Sequence, residues 1–383
     1  MKAVHQLRTF EQVLSAYDGS LPLHRFLPGF FKQNRKMGST DRRWASRYIY
    51  SYFRSGDMFS ALPADRKLAY ADFLCHEDLS PVTAYLEPQL AGMETWSVEN
   101  KLNFLQGIGL PADDKQILPF SGLLSQGIDE VTFNRSMFIQ PDLYIRIRDE
   151  HVLRLLEAAG QPFVQLSDRC IALPNGAKLE NLLPENSYYV QDLSSQHTAT
   201  FFEPARYSKW WDTCAASGGK SLLLHSIEPT VELVVSDIRE NILDNLEERF
   251  AQAGIRKYQR KQLDLLQNND QILKHYAFDG IILDAPCSGS GTWGRTPELA
   301  RFFDQRRIGQ FAALQKSIAR NVVNYLKPGK PLIYITCSAF KAENEDVVQF
   351  MLENLPLELE RMELISGYTQ KADTMFAARL IGK

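Results

Sequence analysis

Two cysteines in this chain stand where a thiol could act on a substrate. Cys287 lies in Asp284-Ala285-Pro286-Cys287-Ser288-Gly289-Ser290-Gly291-Thr292, directly after the apolar run FDGIIL. Cys337 lies in Thr336-Cys337-Ser338, after the apolar run PLIYI. A thiolate attacks carbon readily and needs no histidine base if its local field lowers its pKa. A cysteine that ends an apolar strand is more often a small buried hydrophobe, so either thiol alone carries little weight. Two at adjacent strand tips, one of them beside Asp284 and glycines, point to nucleophilic chemistry.

A second constellation suits a cofactor. In Asp212-Thr213-Cys214-Ala215-Ala216-Ser217-Gly218-Gly219-Lys220, small residues and two glycines let a ligand approach the backbone before a helix begins. A tight structural turn is the plain alternative. A phosphate-binding P-loop is disfavoured, because it needs a glycine six residues before its lysine and Cys214 stands there. Asp237 ends the run VELVVSD, about twenty residues beyond the glycines, where a carboxylate can accept both ribose hydroxyls of an adenosyl group. Capping of the next helix is the competing role. Asp264, after a third short strand, could accept a hydrogen bond from an adenine amino group. Lys220 could steady a base or phosphate, and Arg295 could meet a phosphate or hold the loop after Cys287. No GxGxxG turn is present, which disfavours hydride chemistry.

The elements that must position these residues alternate. From about Tyr207 the text reads strand KWWDTCA, Gly turn and helix, strand VELVVSD, helix RENILDNLEERFAQAG and a short strand reaching Leu263. It continues with strand FDGIILDAP, a long helix ending at Leu326, strand PLIYITCS and a final strand MFAARL. Such alternation predicts an α/β fold, a mostly parallel sheet with helices on both faces. Ligands then bind beyond the carboxyl ends of the strands, where strand order switches. Upstream, apolar residues at three- and four-residue spacing in FEQVLSAY, DRRWASRYIYSYF and VENKLNFL predict an all-helical segment. MFIQPDLYIRIR and RCIALPNG, on either side of a helix HVLRLLEAAG ending on Gly160, predict a small α+β module. The expected division is 1–125, 126–200 and 201–383.

The 383 residues are 44% hydrophobic and 23% charged, an ordinary globular composition with no apolar run long enough to span a bilayer. The first residues lack the apolar core of a secretory signal, so a cytoplasmic location is expected. Five scattered cysteines, Cys75, Cys170, Cys214, Cys287 and Cys337, form no CxxC or Cys/His cluster and suggest neither a disulfide framework nor a metal site. The net charge of −3 offers no global argument for nucleic acid. Residues 1–70, however, hold 12 Lys/Arg against 5 Asp/Glu, an excess of seven positive charges. That suits phosphate contacts or, equally, a solvated helical face. If the excess serves phosphate contacts, deleting residues 1–125 is expected to weaken polyanion binding and flatten its salt dependence.

DTCAASGGK, SDIREN, DAPCSGSGTWGRTPE and YITCSAFKAENEDVV resemble, in order, the successive motifs of the Sun/Fmu (NOL1/Nop/Sun) family of RNA cytosine-5 methyltransferases. YYVQDLSSQ, at Tyr188 to Gln196, is similar to the segment entering that family's catalytic domain, and PDLYIRIR to its RNA-binding module. GSTDRRWASRYIYSYFR resembles the NusB-like helical domain of bacterial ribosomal-RNA members. Ser217 departs from the family's usual proline, and Gly329-Lys330 from its usual two glycines.

The resemblance implies a Rossmann-like methyltransferase domain that uses S-adenosylmethionine on RNA; no metal, no membrane association and a monomeric state are expected alongside it. It implies Cys337 of the TC motif as the nucleophile that adds to carbon 6 of cytosine. Asp284 would bind the base edge with general-acid assistance, and Cys287 of the PC motif would promote release. Cys214, Ala215, Ala216, Ser217, Gly218, Gly219, Lys220, Asp237, Asp264 and Asp284 match the family's cofactor positions. The helical N-terminal segment tilts the expected substrate towards ribosomal rather than transfer RNA. The rivals are a DNA-type cytosine methyltransferase, in which Cys287 attacks, and a noncatalytic RNA-binding assembly factor.

Overall fold

The computed structural model describes residues 2–383, which divide into two compact units. One comprises residues 2–122, 129–141 and 292–304, and the other 123–128, 142–291 and 305–383.

The first unit is helical, with Lys2–Ala16, Leu23–Gln33, Ser39–Arg54, Ala64–Cys75, Pro81–Leu86 and Val98–Gly107 as its main helices. Apolar positions three and four apart place Phe10, Val13, Leu27, Tyr48, Ile49, Leu68 and Val82 in one core. Ser80 and Ser97 cap the helices that follow them by accepting from Thr83 N–H and Asn100 N–H. Part of the basic excess is internal. Arg54 is buried and donates to Met137 O at 2.6 Å, while Arg47 Nε donates to the buried Asp72 carboxylate at 2.8 Å. Lys67 is likewise buried. The segment 292–304, which follows the Cys287 loop in sequence, belongs to this unit. There Glu298 accepts from Leu23 N–H at 2.9 Å, and Phe302 packs on Tyr17 with ring centroids 5.8 Å apart. A truncation at residue 125 would strip the helices that hold this segment, so it tests folding as well as RNA binding.

The second unit contains two sheets. The smaller has strands β1 (Leu143–Ile147), β2 (Val164–Gln165), β3 (Cys170–Leu173) and β4 (Tyr188–Val190) in the order β2-β3-β1-β4, every pair antiparallel. Strand β1 is shorter than the sequence suggests. Residues 137–140 turn after the Glu130–Ser136 helix, and Pro141, which has no N–H to donate, separates them from the ladder.

The larger sheet is built from β5 (Lys209–Asp212), β6 (Glu232–Asp237), β7 (Tyr258–Gln262), β8 (Gly280–Asp284), β9 (Pro331–Thr336), β10 (Leu357–Ser366) and β11 (Thr374–Gly382). Its order is β10-β11-β9-β8-β5-β6-β7. The strands from β7 to β9 are parallel, and β11 is antiparallel to both neighbours. Strand β10 was not foreseen: its middle residues are largely exposed and charged, so no apolar alternation betrays it. Alternation along the parallel strands feeds two cores. Trp211, Val234, Ile281, Leu283 and Tyr334 face one side, and Trp210, Leu233, Val235, Ile282 and Ile335 the other. The long helix anticipated before β9 is interrupted. Pro297–Arg301 forms one short helix and Arg306–Val322 another, ending in a tight turn at Val323–Tyr325. Among the described residues no helix is long and apolar enough to cross a membrane.

Strand order reverses at β5, which lies between β6 and β8. The carboxyl ends of β5, β6, β8 and β9 therefore border the crevice in which such sheets bind ligands.

Candidate active site

At the end of β5 the chain turns sharply into the Gly219–Ile227 helix. Ala216 and Gly218 both adopt positive φ, at 46° and 82°. A Cβ on Gly218 would lie 2.8 Å from Phe250 Cε1, so glycine is required there by conformation and by space. Gly219 meets nothing within 4 Å at its Cβ direction, which leaves open space against the backbone. Asp237, at the tip of β6, closes this cradle. Its carboxylate accepts from Ala216 N–H at 3.1 Å and from Arg239 N–H at 2.9 Å. Burial would raise the Asp237 carboxyl, but the Arg239 hydrogen bonds and charge outweigh it and hold the group below the usual carboxylate range. Asp237 thus ties the turn to the next helix and presents an ionised carboxylate beside the open backbone at Gly219.

Ser217, the departure from the usual proline, gains a partner: Arg249 donates to its carbonyl at 2.7 Å and to its hydroxyl at 2.8 Å. Cys214 packs its side chain against one core, and burial pushes its thiol well above the ordinary range. Asp264 follows β7 in a polar turn, accepting from Leu266 N–H at 2.9 Å. Arg295 lies in the segment belonging to the helical unit, where its N–H donates to Thr292 O at 2.9 Å.

Asp284 ends β8, where Lys220 Nζ comes within 3.2 Å of its carboxylate. Lys220 is buried and also donates to Ser195 Oγ at 2.9 Å. This lysine therefore positions Asp284 rather than reaching into solvent. Beneath them Asp212 is fully buried. Burial, with a smaller contribution from Asp284 and against the Ser221 hydrogen bond, pushes its carboxyl up to about 7.

The two thiols meet. Parallel pairing of β8 with β9 sets Asp284 opposite Ile335, and the loops beyond bring Cys287 Sγ to 3.4 Å from Cys337 Sγ. The hydrogen bond with Cys337, then burial, then the nearby Glu343 raise the Cys287 thiol well above its ordinary value. Cys287 consequently keeps its proton and can share it with the sulfur of Cys337.

Glu343 was not singled out from the sequence, although it lies within KAENEDVV. Its fully buried carboxylate accepts from Ser288 N–H at 2.8 Å, Ser338 Oγ at 2.9 Å and Gln315 Nε2 at 3.1 Å. It joins the residue after one cysteine to the residue after the other. The hydroxyls of Ser288, Ser290 and Ser338 lie 3.1–3.3 Å from one another beside it, and Asn344 Nδ2 donates to Ser338 O at 2.8 Å. Only the spacing of the acidic residue after the TC motif could have signalled this clamp.

Residues 199–381 match the family described as 16S rRNA methyltransferase RsmB/F. Ribosomal RNA small subunit methyltransferase B from Salmonella paratyphi B is 33% identical over 230 residues, 57% of this chain and 52% of that protein. The Shewanella oneidensis protein of the same name is 31% identical over 222 residues, 56% and 50% of the two chains. The chain spans about half the length of the curated relatives it matches. Among solved structures, PH0851 aligns with 92% of this chain and 92% of its own at a TM-score of 0.69 and 19% identity. NSun6 from Pyrococcus horikoshii with SFG aligns with 63% of this chain and 91% of its own at 0.55 and 19%. These structural likenesses establish the same Rossmann-like methyltransferase fold. The glycine turn and the paired thiols fall within the segment 199–381, which is similar to the RsmB/F branch of the Sun methyltransferase family.

Proposed function

We propose that this chain is an S-adenosylmethionine-dependent RNA methyltransferase that modifies carbon 5 of a cytosine in ribosomal RNA through a covalent adduct with Cys337. The observation that carries the reading is the 3.4 Å approach of two thiols at neighbouring strand ends, one beside an acid held by Lys220. The names of the relatives, ribosomal RNA methyltransferases, support the choice of substrate.

The glycine turn fits the cofactor. Gly219 leaves room against the backbone, and the ionised Asp237 offers a carboxylate to a ribose. Residues 214–220, Asp237 and Asp264 would hold S-adenosylmethionine, which supplies an electrophilic methyl group. Cytosine carbon 5 is a poor nucleophile until a group adds at carbon 6. Cys337 is assigned as the attacking thiol by its place in the TC motif, and Cys287 lies 3.4 Å away, within reach to donate its S–H to that sulfur. Addition of the Cys337 thiolate forms the sulfur–carbon 6 bond and drives the ring electrons to carbon 5, which takes the methyl group. Asp284 binds the base edge, and a proton donated from its carboxyl neutralises ring nitrogen 3 as the thiolate adds, with Lys220 placing the group. The carbon 5 proton then passes to solvent, the sulfur–carbon 6 bond breaks, and the Cys287 hydrogen bond stabilises the departing thiolate. Residues 1–125 and 126–200 would bind RNA flanking the target.

Transfer of tritium from labelled S-adenosylmethionine to bulk cellular RNA tests the activity. Absence of transfer with cofactor bound would favour a noncatalytic RNA-binding role. Bisulfite sequencing of total RNA from cells lacking the chain tests the substrate: one missing ribosomal position is expected, and a missing transfer-RNA position instead would move the assignment.

A further inference from the structure

Four arginines gather on the second unit, away from any carboxylate partner. Arg146 is central in β1 and pairs in register with Tyr189 on one side and Cys170 on the other. Its guanidinium lies 4.9 Å from the Tyr189 ring centroid, and that of Arg148 lies 5.9 Å from the same centroid. Arg169 precedes Cys170 and accepts from Ile147 N–H at 2.8 Å through its carbonyl. Arg249 projects from the Glu240–Ala253 helix to Ser217.

Among the described residues each of the four donates to a neutral acceptor alone: Gln191 Oε1 for Arg146, Asn186 O for Arg148, Ser226 O for Arg169, and Ser217 for Arg249. Arg146 is 5% exposed, and its Nη2 has neither solvent nor partner. Burial first, then the repulsion of Arg169, Arg249 and Arg148, pulls its guanidinium down to about 10. A buried cation surrounded by like charges costs folding free energy unless an anion compensates it. Arg148 and Arg169 are exposed, so an anion can reach them from solvent. The field of the buried Arg146 is little screened by salt and adds to theirs.

The cluster is wired to the cofactor turn. Gln191 accepts from Arg146 and donates to Ser195 Oγ at 3.3 Å, the hydroxyl that also accepts from Lys220. Arg249 grips Ser217 within the turn itself. The segment YYVQDLSSQ, which the reaction leaves otherwise unused, supplies Tyr189, Gln191 and Ser195 and is the physical link.

We propose that Arg146, Arg148, Arg169 and Arg249 form a phosphodiester-binding site for the RNA backbone, built around Tyr189 and joined to the glycine turn through Gln191 and Arg249. The proposal rests on the RNA-methyltransferase reading for the identity of the anion. Its function is to seat the strand next to the turn, since phosphate contacts set register without reading sequence.

The test uses the full chain and a labelled, mixed-sequence single-stranded RNA. The dependence of log affinity on log salt is compared among wild type, R148Q/R169Q and R249Q, and melting temperature serves as the check of folding. R148Q/R169Q is expected to bind more weakly, with a slope shallower by about 0.7 for each phosphate that is no longer neutralised. R249Q should also flatten the slope and, in addition, lower S-adenosylmethionine affinity measured by equilibrium dialysis without RNA. Inorganic phosphate in excess should compete weakly with RNA in the wild type and not in R148Q/R169Q. An unchanged slope in folded R148Q/R169Q overturns the site, and R249Q with wild-type cofactor affinity overturns the link to the turn. A protein that binds RNA with these slopes yet transfers no methyl group would sink the proposed activity and leave the phosphate site standing.

Discussion

The Cys337 sulfur lies 3.4 Å from that of Cys287, fifty residues earlier, because β8 and β9 run parallel side by side and end together. This proximity predicts opposite gel phenotypes for the two thiols. C337A should abolish methyl transfer and form no adduct, since nothing remains to add to carbon 6. C287A should permit addition and methylation but slow release, so a protein–RNA adduct survives denaturing electrophoresis. An adduct with C337A and none with C287A would reverse the roles in favour of the DNA-type mechanism.

Glu343 holds both loops, and its replacement should be felt at both sulfurs. In E343Q one carboxylate oxygen becomes an NH2 group, which would face the donors Ser288 N–H and Gln315 Nε2. An unsatisfied buried donor costs about 1–3 kcal/mol. The melting temperature should fall, and the iodoacetamide reaction rates of Cys287 and Cys337 should change relative to those in the wild-type protein. Unaltered thiol reactivity would reduce Glu343 to a purely structural role.

Asp212 makes stability depend on pH. Its folded value of about 7 lies above the unfolded value of 3.8, so the folded state binds the proton more tightly. That contribution is complete below pH 3.8 and is lost as pH rises through about 7. D212N mimics the neutral acid and keeps an acceptor for Ser221, so its unfolding free energy should vary less across this window. The difference should amount to a few kcal/mol, on the order of 1.4 per pKa unit. Urea unfolding at several pH values measures it, and parallel curves for the two proteins would refute the assignment.

The two glycines of the turn should fail differently. G218A forces a Cβ into Phe250 at positive φ and should destabilise the fold by about 1–3 kcal/mol. G219A meets nothing within 4 Å and starts the Gly219–Ile227 helix, so its melting temperature should match wild type. Loss of cofactor affinity in G219A, read by equilibrium dialysis, is the expected mark of a ligand lying against that backbone. Full affinity in G219A would place the ligand elsewhere.

The helical unit's contribution is better read through its exposed cations than through truncation. Arg35 and Lys36 are exposed, whereas Arg54 and Lys67 are internal. R35Q/K36Q should weaken RNA binding and lower the salt slope by about 0.7 per phosphate without changing which cytosine is modified. Bisulfite sequencing of RNA modified by the variant checks the second half of that statement.

The alternation of strand and helix after Tyr207, the glycine turn, and the two cysteines at strand tips were all legible along the chain. Each is a local pattern that any fold placing those strands in parallel must respect. Asp284, Asp237 and Cys337 therefore fell at the carboxyl ends of β8, β6 and β9 as expected. Strand β10 was hidden because an outer strand with exposed charged positions shows no apolar period. The grouping of residues 292–304 with the N-terminal helices was hidden because packing, not proximity in sequence, assigns a segment to a core. Glu343 beside Ser288, Lys220 beside Asp284, and Arg146 and Arg148 over Tyr189 were equally out of reach. A buried charge is chosen by whichever partners the tertiary structure brings within hydrogen-bond range, and Gln191 lies 45 residues from Arg146, Ser288 55 from Glu343 and Asp284 64 from Lys220. The residue types that could do chemistry were determined by the sequence alone, while which of them are reactive, neutralised or left without a counterion was decided only when the chain packed.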